Sequence, residues 1–196
     1  MHAIGRRFES VHLHIVFALV LLPSLLAGVG AGANELFPKT GPALATYEQF
    51  LQSLSDRNFP VAYPLLDEVS QAYLGCCYDI VKEIKAKVDA SPGKFPPEQI
   101  STLQLMFSAK DPQALFAILM ERFFPQISSE EFARLRCFQI TPLSPNAYRL
   151  TTVNGKAFLI VNQKDAWKID LSDHFLALYN ELTDTKELLE RMLNSE

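Results

Sequence analysis

The chain has 196 residues, of which 48% are hydrophobic and 20% are charged, proportions that are ordinary for a folded globular protein. Its formal net charge is -4, so it lacks the basic field that nucleic-acid binding or docking on anionic lipid would need. This composition also argues against long disordered stretches.

The N-terminal segment has the pattern of a secretory signal. Arg6 and Arg7 precede the apolar run IVFALVLLPSLLAGVG, and the small residues AGA at 31–33 match a cleavage site. We expect residues 1–33 to be a cleaved Sec-type signal peptide, which predicts a periplasmic or secreted protein without stable membrane insertion. The alternative is an uncleaved membrane anchor. The signal has no lipobox, because no cysteine lies near the cleavage site.

The rest of the chain is predicted to be a linker at 34–43 and a single α+β domain at 44–196. Within the domain we expect a helical segment at 68–135. A four-strand antiparallel meander, a curved sheet, should follow at 136–170, and C-terminal helices at 172–194.

Apolar residues recur at helical spacing through the first half. Pro64 should bend a short second helix, and Ser128 with Glu131 predicts a capping box for a later one. The long helix between them is expected to bury one stripe of side chains: Val69, Tyr73, Cys76, Cys77, Ile80, Ile84 and Val88.

After Arg136 the apolar period changes from 3.6 to two, which indicates strands. Asn154-Gly155 predicts a type I′ hairpin turn, because both of its central residues tolerate positive φ. Ser172 and Asp184 are expected to start two separate terminal helices. One buried sheet face is predicted to carry Phe158, Ile160, Trp167 and Ile169.

Two segments resemble a known family. The stretch ATYEQFLQSLSDRNFPVAYPLL contains an A-Y-x-L-L pattern, and GKAFLIVNQKDAWKIDL has a tryptophan followed by K-I-D at a strand end. Both are similar to segments of nuclear-transport-factor-two-like proteins, at the opening helix pair and the closing hairpin. The matching residues are Ala62, Tyr63, Leu65 and Leu66, then Trp167, Lys168, Ile169 and Asp170.

The resemblance implies a curved sheet wrapped around a helix, with a cone-shaped pocket. Members of that family include isomerases, dehydratases, ligand carriers and interaction domains, so the fold does not select a function. The helical stretch between Asp67 and Phe132 is longer than in typical members. It is either an insertion into the family fold or a sign of a different α+β arrangement.

Four aromatic residues are candidates for lining an apolar ligand pocket: Tyr63, Tyr73, Tyr148 and Trp167. The alternative is that they are core side chains with polar tips, which is the usual role of such residues. His174 is a candidate general base beside Asp170 and Asp173, and its alternative is a surface histidine in a polar first turn.

The chain has three cysteines, and in an oxidising compartment two of them should pair. Cys76 and Cys77 are neighbours on a helix, where mutual bridging is geometrically poor, so Cys137 would pair with Cys76 or Cys77. The alternative is three buried thiols. These residues and one histidine in the mature chain do not form a metal ligand set, and we expect neither a metal nor a cofactor.

The expected function is therefore an exported, non-enzymatic binding or protein-interaction module that uses an apolar cavity or a sheet face. Its partner would be an apolar small molecule or an envelope protein, and homodimerisation through the sheet face is a further option. The alternative is a cofactor-independent isomerase or lyase with a Tyr/Asp site in the pocket.

Overall fold

The computed structural model describes residues 40–123 and 135–194, which form an α+β fold as predicted. The helices are α1 (Thr40–Ser55), α2 (Phe59–Ala62), α3 (Glu68–Ala90), α4 (Pro97–Met106), α5 (Pro112–Phe123) and α6 (Ser172–Asn194), with a 3-10 turn at Tyr63–Leu65. The strands are β1 (Cys137–Ser144), β2 (Ala147–Thr152), β3 (Ala157–Gln163) and β4 (Ala166–Asp170). The helix predicted after Ser128 lies outside the described residues. None of the described helices is long and apolar enough to cross a membrane.

Helix α1 begins inside the stretch predicted as linker, and Ala43 in its first turn is fully buried. The helix ends in a Schellman-type cap. Arg57 has a φ of 54°, the Asn58 N–H donates to the Ser53 carbonyl at 2.7 Å, and the Arg57 N–H donates to Leu54 at 3.1 Å. This tight exit turns the chain back, so that α2 packs against α1.

The α2 segment is short and bent, as the position of Pro64 predicted. It changes into the 3-10 turn, whose last residue Leu65 is followed by Leu66 in an extended conformation. Proline removes a backbone donor from a helix interior, which limits the helix to a single turn here.

Helices α3 and α6 lie side by side and run in the same direction. The Sγ of Cys77 lies 3.6 Å from the Phe175 carbonyl near the start of α6, and Lys87 binds Glu190 at 3.1 Å near the end of both helices. The seam contains apolar side chains of both helices. On α3 they recur at alternating spacings of three and four, at Leu74, Cys77, Val81, Ile84 and Val88; on α6 they are Phe175, Leu178, Leu182, Leu189 and Met192, with the polar Thr185 at the position between Leu182 and Leu189.

Two helix predictions were wrong in detail. Val69 and Cys76 are exposed, and Leu74 and Val81 are buried instead, because the position of α6 selects which stripe of α3 is covered. The C-terminal region is one helix, not two. No glycine or proline separates its halves, and the buried residues Leu182 and Leu189 lie seven residues, about two turns, apart on the same side of the helix.

The strands form an antiparallel meander in the order β1-β2-β3-β4, and the sheet is not closed. The hairpin at Asn154-Gly155 is present, but the predicted type I′ turn is wrong, because only Gly155 has positive φ there, at 79°. The turn with two positive φ values is Lys164-Asp165, between the paired residues Gln163 and Ala166.

The free edge of β4 is joined to the helical half. Leu66 forms a parallel bridge with Ile169, and the Asp67 N–H donates to the Ile169 carbonyl at 2.9 Å. The buried Asp67 carboxylate caps α3 by accepting from the Ser70 N–H at 2.8 Å, while the Ser70 hydroxyl accepts from the Leu171 N–H. This junction fixes the sheet relative to α3 and α6.

Candidate functional site

The two faces of the sheet differ sharply in burial. The inner face packs on α1 and is buried at Tyr148, Leu150, Thr152, Ile160, Trp167 and Ile169. The opposite face is called the outer face below, and none of the following residues on it is fully buried: Thr141, Ala147, Arg149, Thr151, Ala157, Leu159, Val161, Lys168 and Asp170. This alternation is typical of an antiparallel sheet with one face on the core.

The outer face is organised in rows across the strands. One row runs from Arg149 on β2 through Leu159 on β3 to Asp170 on β4, which are paired neighbours. The next row places Val161 beside Lys168 in the same way. The centre of the outer face is therefore apolar, and charged side chains flank it on both sides.

On the inner face, the structure brings two of the four pocket candidates together. The rings of Tyr148 and Trp167 lie 5.0 Å apart between centroids at an interplanar angle of 42°. Their strands, β2 and β4, are separated by β3, on which Ile160 pairs with Tyr148 and Asn162 pairs with Trp167, so the two rings meet diagonally across β3. Both are buried, so in the structure they are core residues of the inner face.

The other two candidates lie elsewhere. Tyr63 is half-buried in the 3-10 turn, and its ring contacts Phe116 of α5 at 5.8 Å. Tyr73 is half-buried on α3 and packs against the core. Within the described chain, no ring contact joins Tyr63 or Tyr73 to the Tyr148–Trp167 pair.

Sequence reasoning missed the most buried polar aromatic group. Tyr47 of α1 is fully buried, its hydroxyl donates to the Leu135 carbonyl at 2.7 Å, and its ring contacts Phe158 at 5.2 Å. Burial, with a smaller effect of Cys137, raises the pKa of Tyr47 far above its ordinary value, so this hydroxyl stays a neutral donor. Tyr47 anchors α1 to the start of the sheet.

His174 lies in the first turn of α6 and is half-buried. Burial lowers the pKa of His174, Lys156 acts in the same direction, and Asp173 and Asp170 oppose them. The Asp170 carboxylate accepts a hydrogen bond from the Ser172 N–H at 2.8 Å, which gives it a capping role at the start of α6. Among the residues that the structure describes, His174 thus has charged neighbours but no hydrogen-bonded aspartate of the kind that orients a general base.

All three cysteines are free thiols in the structure, so it does not contain the bridge predicted between Cys137 and Cys76 or Cys77. Cys77 faces α6, and burial raises the pKa of its thiol to about 12. Cys137 lies at the start of β1, where its thiol donates to the Gln139 carbonyl and burial raises its pKa. Cys76, its neighbour on α3, is exposed.

Two glutamates of α3 form salt bridges with lysines of other elements. Glu68 pairs with Lys164, and Glu83 pairs with Lys186 across the α3–α6 seam. In each case a hydrogen bond from the lysine lowers the pKa of the glutamate, which is opposite to the raised pKa that a general acid needs. Within residues 40–123 and 135–194, no group of three or more His, Cys, Asp or Glu side chains could hold a metal ion.

Comparison of the chain with protein-family models, with curated proteins and with solved structures gives no match in any of the three.

Proposed function

We propose that this protein is an exported, non-enzymatic interaction module and that the outer face of its sheet is the docking surface. The observation that supports the proposal most strongly is the difference between the two sheet faces. Six inner residues are buried, and the opposite side carries Leu159 and Val161 in its centre without full burial of any residue. Apolar side chains that stay partly exposed on a sheet face favour a partner that removes them from water.

The composition of the outer face fits a protein partner. Two small residues lie beside this pair, Ala147 opposite Val161 and Ala157 two residues before Leu159 on β3, so a flat surface can approach closely there. Arg149 and Lys168 lie at the sides of this apolar centre. An apolar centre with a polar rim is the usual anatomy of a protein interface.

The edges of the sheet favour docking on the face over addition of a strand. The β4 edge is already bonded to the Leu66–Asp67 segment. Strand β1 contains Pro142 and has register shifts at both ends, between Cys137 and Gln139 and between Pro142 and Ser144. Prolines and bulges on an edge strand oppose pairing with another chain.

The aromatic candidates give less support to an apolar cavity as the site. Tyr148 and Trp167 pack on each other within the inner face, and Tyr63 packs on Phe116. We therefore assign their large apolar surfaces to stability. The same contacts leave the Tyr/Asp isomerase or lyase without an observation in its favour.

Site-specific photocrosslinking in the producing cells tests the proposal. A photoreactive amino acid at position 159 or 161 should yield a discrete crosslinked band. The same group at Leu105, an exposed apolar position on α4, should not. Equal crosslinking at all three positions, or none at 159 and 161, would contradict docking on the outer face.

The export part of the proposal has its own test. N-terminal sequencing of the protein recovered from the periplasm or the medium should begin at Asn34, if residues 1–33 are removed as the AGA motif at 31–33 predicts. Recovery of the protein with an intact Met1 in the membrane fraction would contradict export as a cleaved protein.

We also keep the relationship to nuclear-transport-factor-two-like proteins as a proposal. Helix α1 lies against the inner face through the contact of Tyr47 with Phe158, which is the kind of helix-in-sheet packing that such a relationship implies. An experimental structure in which the sheet does not curve around α1 would contradict it.

A further inference from the structure

We infer that the partner on the outer face is a second copy of this chain, related by a two-fold axis that runs along β3 above Leu159. This inference rests on the proposed docking role of the outer face and specifies its occupant.

The argument begins with the positions of the charges. Arg149, Leu159 and Asp170 occupy one row across three neighbouring strands, so Arg149 and Asp170 lie one strand away from Leu159 on opposite sides. Neighbouring strands are about 4.8 Å apart, so the backbones of Arg149 and Asp170 are about 10 Å apart within one chain. Arg149 forms no salt bridge within the described residues.

A two-fold axis parallel to β3 converts this arrangement into two salt bridges. It places β2 of each copy over β4 of the other. Arg149 of the first copy then faces Asp170 of the second, and Asp170 of the first copy faces Arg149 of the second. Leu159 then meets Leu159 of the second copy at the centre. Self-complementary surfaces of this kind are what an isologous dimer requires.

The neighbouring row fits the same axis. Val161 lies on β3 and would meet its own copy, while Ala147 on β2 would lie opposite Lys168 of the second copy. The small side chain of Ala147 leaves room for the lysine stem, and the Lys168 amine already points away towards the Pro64 carbonyl, to which it donates at 2.6 Å. No like charges oppose each other in either row.

The size of the outer face sets the expected affinity. Three strands of about six residues cover roughly 15 Å by 20 Å, which is below the standard size of stable interfaces. We therefore expect a reversible dimer that forms in the micromolar to millimolar concentration range. Its association should weaken as salt is added, because exposed salt bridges are screened.

The test is sedimentation velocity of the full chain, purified from the cells that produce it, over a wide concentration range. The wild-type protein should show a concentration-dependent monomer–dimer equilibrium. Arg149→Glu should weaken association at least tenfold, because two like-charge contacts replace two salt bridges. Lys110→Glu, an equal charge change in an exposed loop, is the matched control and should leave association unchanged.

A mixing experiment tests the axis itself. Asp170→Lys alone should also weaken association, but an equal mixture of the Arg149→Glu and Asp170→Lys proteins should form heterodimers with near wild-type affinity. If loss of the Asp170 hydrogen bond to Ser172 unfolds the lysine variant, Asp170→Asn replaces it. That variant keeps the acceptor oxygen and should weaken association by less than Arg149→Glu does.

Three results would overturn the inference. The first is a wild-type protein that stays monomeric at all concentrations, and the second is association that Arg149→Glu does not change. The third is a large loss of thermal stability in Leu159→Lys monomers, because it would mean that another part of the same chain covers this face. A monomeric chain that still crosslinks to a different protein through position 159 would refute the dimer and leave the proposed docking function intact.

Discussion

Trp167→Ala separates a core role of the inner face from a ligand-binding role. Trp167 is only 8% exposed and packs on Tyr148 at 5.0 Å. Replacing a buried aromatic residue with alanine costs about 3–5 kcal/mol, of which the ring pair accounts for about 0.5–1.5 kcal/mol. A domain of this size has a total stability of about 5–15 kcal/mol, so the variant should remain folded with a small reserve.

The assay is urea unfolding followed by far-UV circular dichroism, because the variant lacks the only tryptophan in the chain. With an m value of about 2 kcal/mol per molar urea, the midpoint should fall by roughly 2 M. Trp167→Phe keeps a ring beside Tyr148 and should cost roughly half as much. Leu159→Ala, on the half-exposed outer face, should cost about 0.5–1 kcal/mol.

The reasoning would be refuted if Trp167→Ala cost less than about 1 kcal/mol, because a core tryptophan cannot be removed so cheaply. A small cost would indicate that the ring lines a cavity whose walls are preformed. In that case the pocket prediction for Tyr148 and Trp167 would regain its support.

Three other measurements follow from the structure. Asp165→Gly should raise the free energy of unfolding, measured by chemical denaturation, by about 0.5–1 kcal/mol. The reason is that glycine adopts the φ of 65° at that position without strain. Burial lowers the pKa of His174 in the folded state, so below about pH 6.5 the unfolded state takes up the proton more readily and the free energy of unfolding falls. Melting curves between pH 7.5 and 5.5 should show this loss of stability in the wild-type protein and not in His174→Gln. Alkylation without reductant should modify the exposed Cys76 first, the half-buried Cys137 more slowly and the buried Cys77 only on unfolding. If intact mass shows fewer than three alkylated thiols after unfolding, the chain contains a disulfide instead.

Local sequence patterns predicted the elements of this protein well because they depend on neighbours along the chain. The apolar spacing around Tyr47 and Leu51 predicted α1, and the change to period two after Arg136 predicted the sheet. The same alternation predicted that Phe158, Ile160, Trp167 and Ile169 share the inner face, and all four lie in the core or pack against it. It could also have indicated the outer face, since Arg149, Leu159 and Asp170 occupy the complementary positions.

Turn type and helix continuity depended on more than local composition. Asn154-Gly155 was predicted to form a type I′ turn, yet the turn with two positive φ values is Lys164-Asp165, where the register of β3 against β4 leaves two residues for the turn. Asp184 was predicted to start a second terminal helix, but α6 continues through it because packing against α3 stabilises the uninterrupted helix.

The sequence by itself determined the order of helices and strands and which strand residues face the core, because spacing along the chain sets both. Only the tertiary structure decided which side of α3 is buried, that Tyr148 and Trp167 pack across β3, and that Arg149 and Asp170 flank Leu159 in one row. These facts depend on contacts between residues far apart in the chain, and no local pattern of residue types specifies which distant partners will meet.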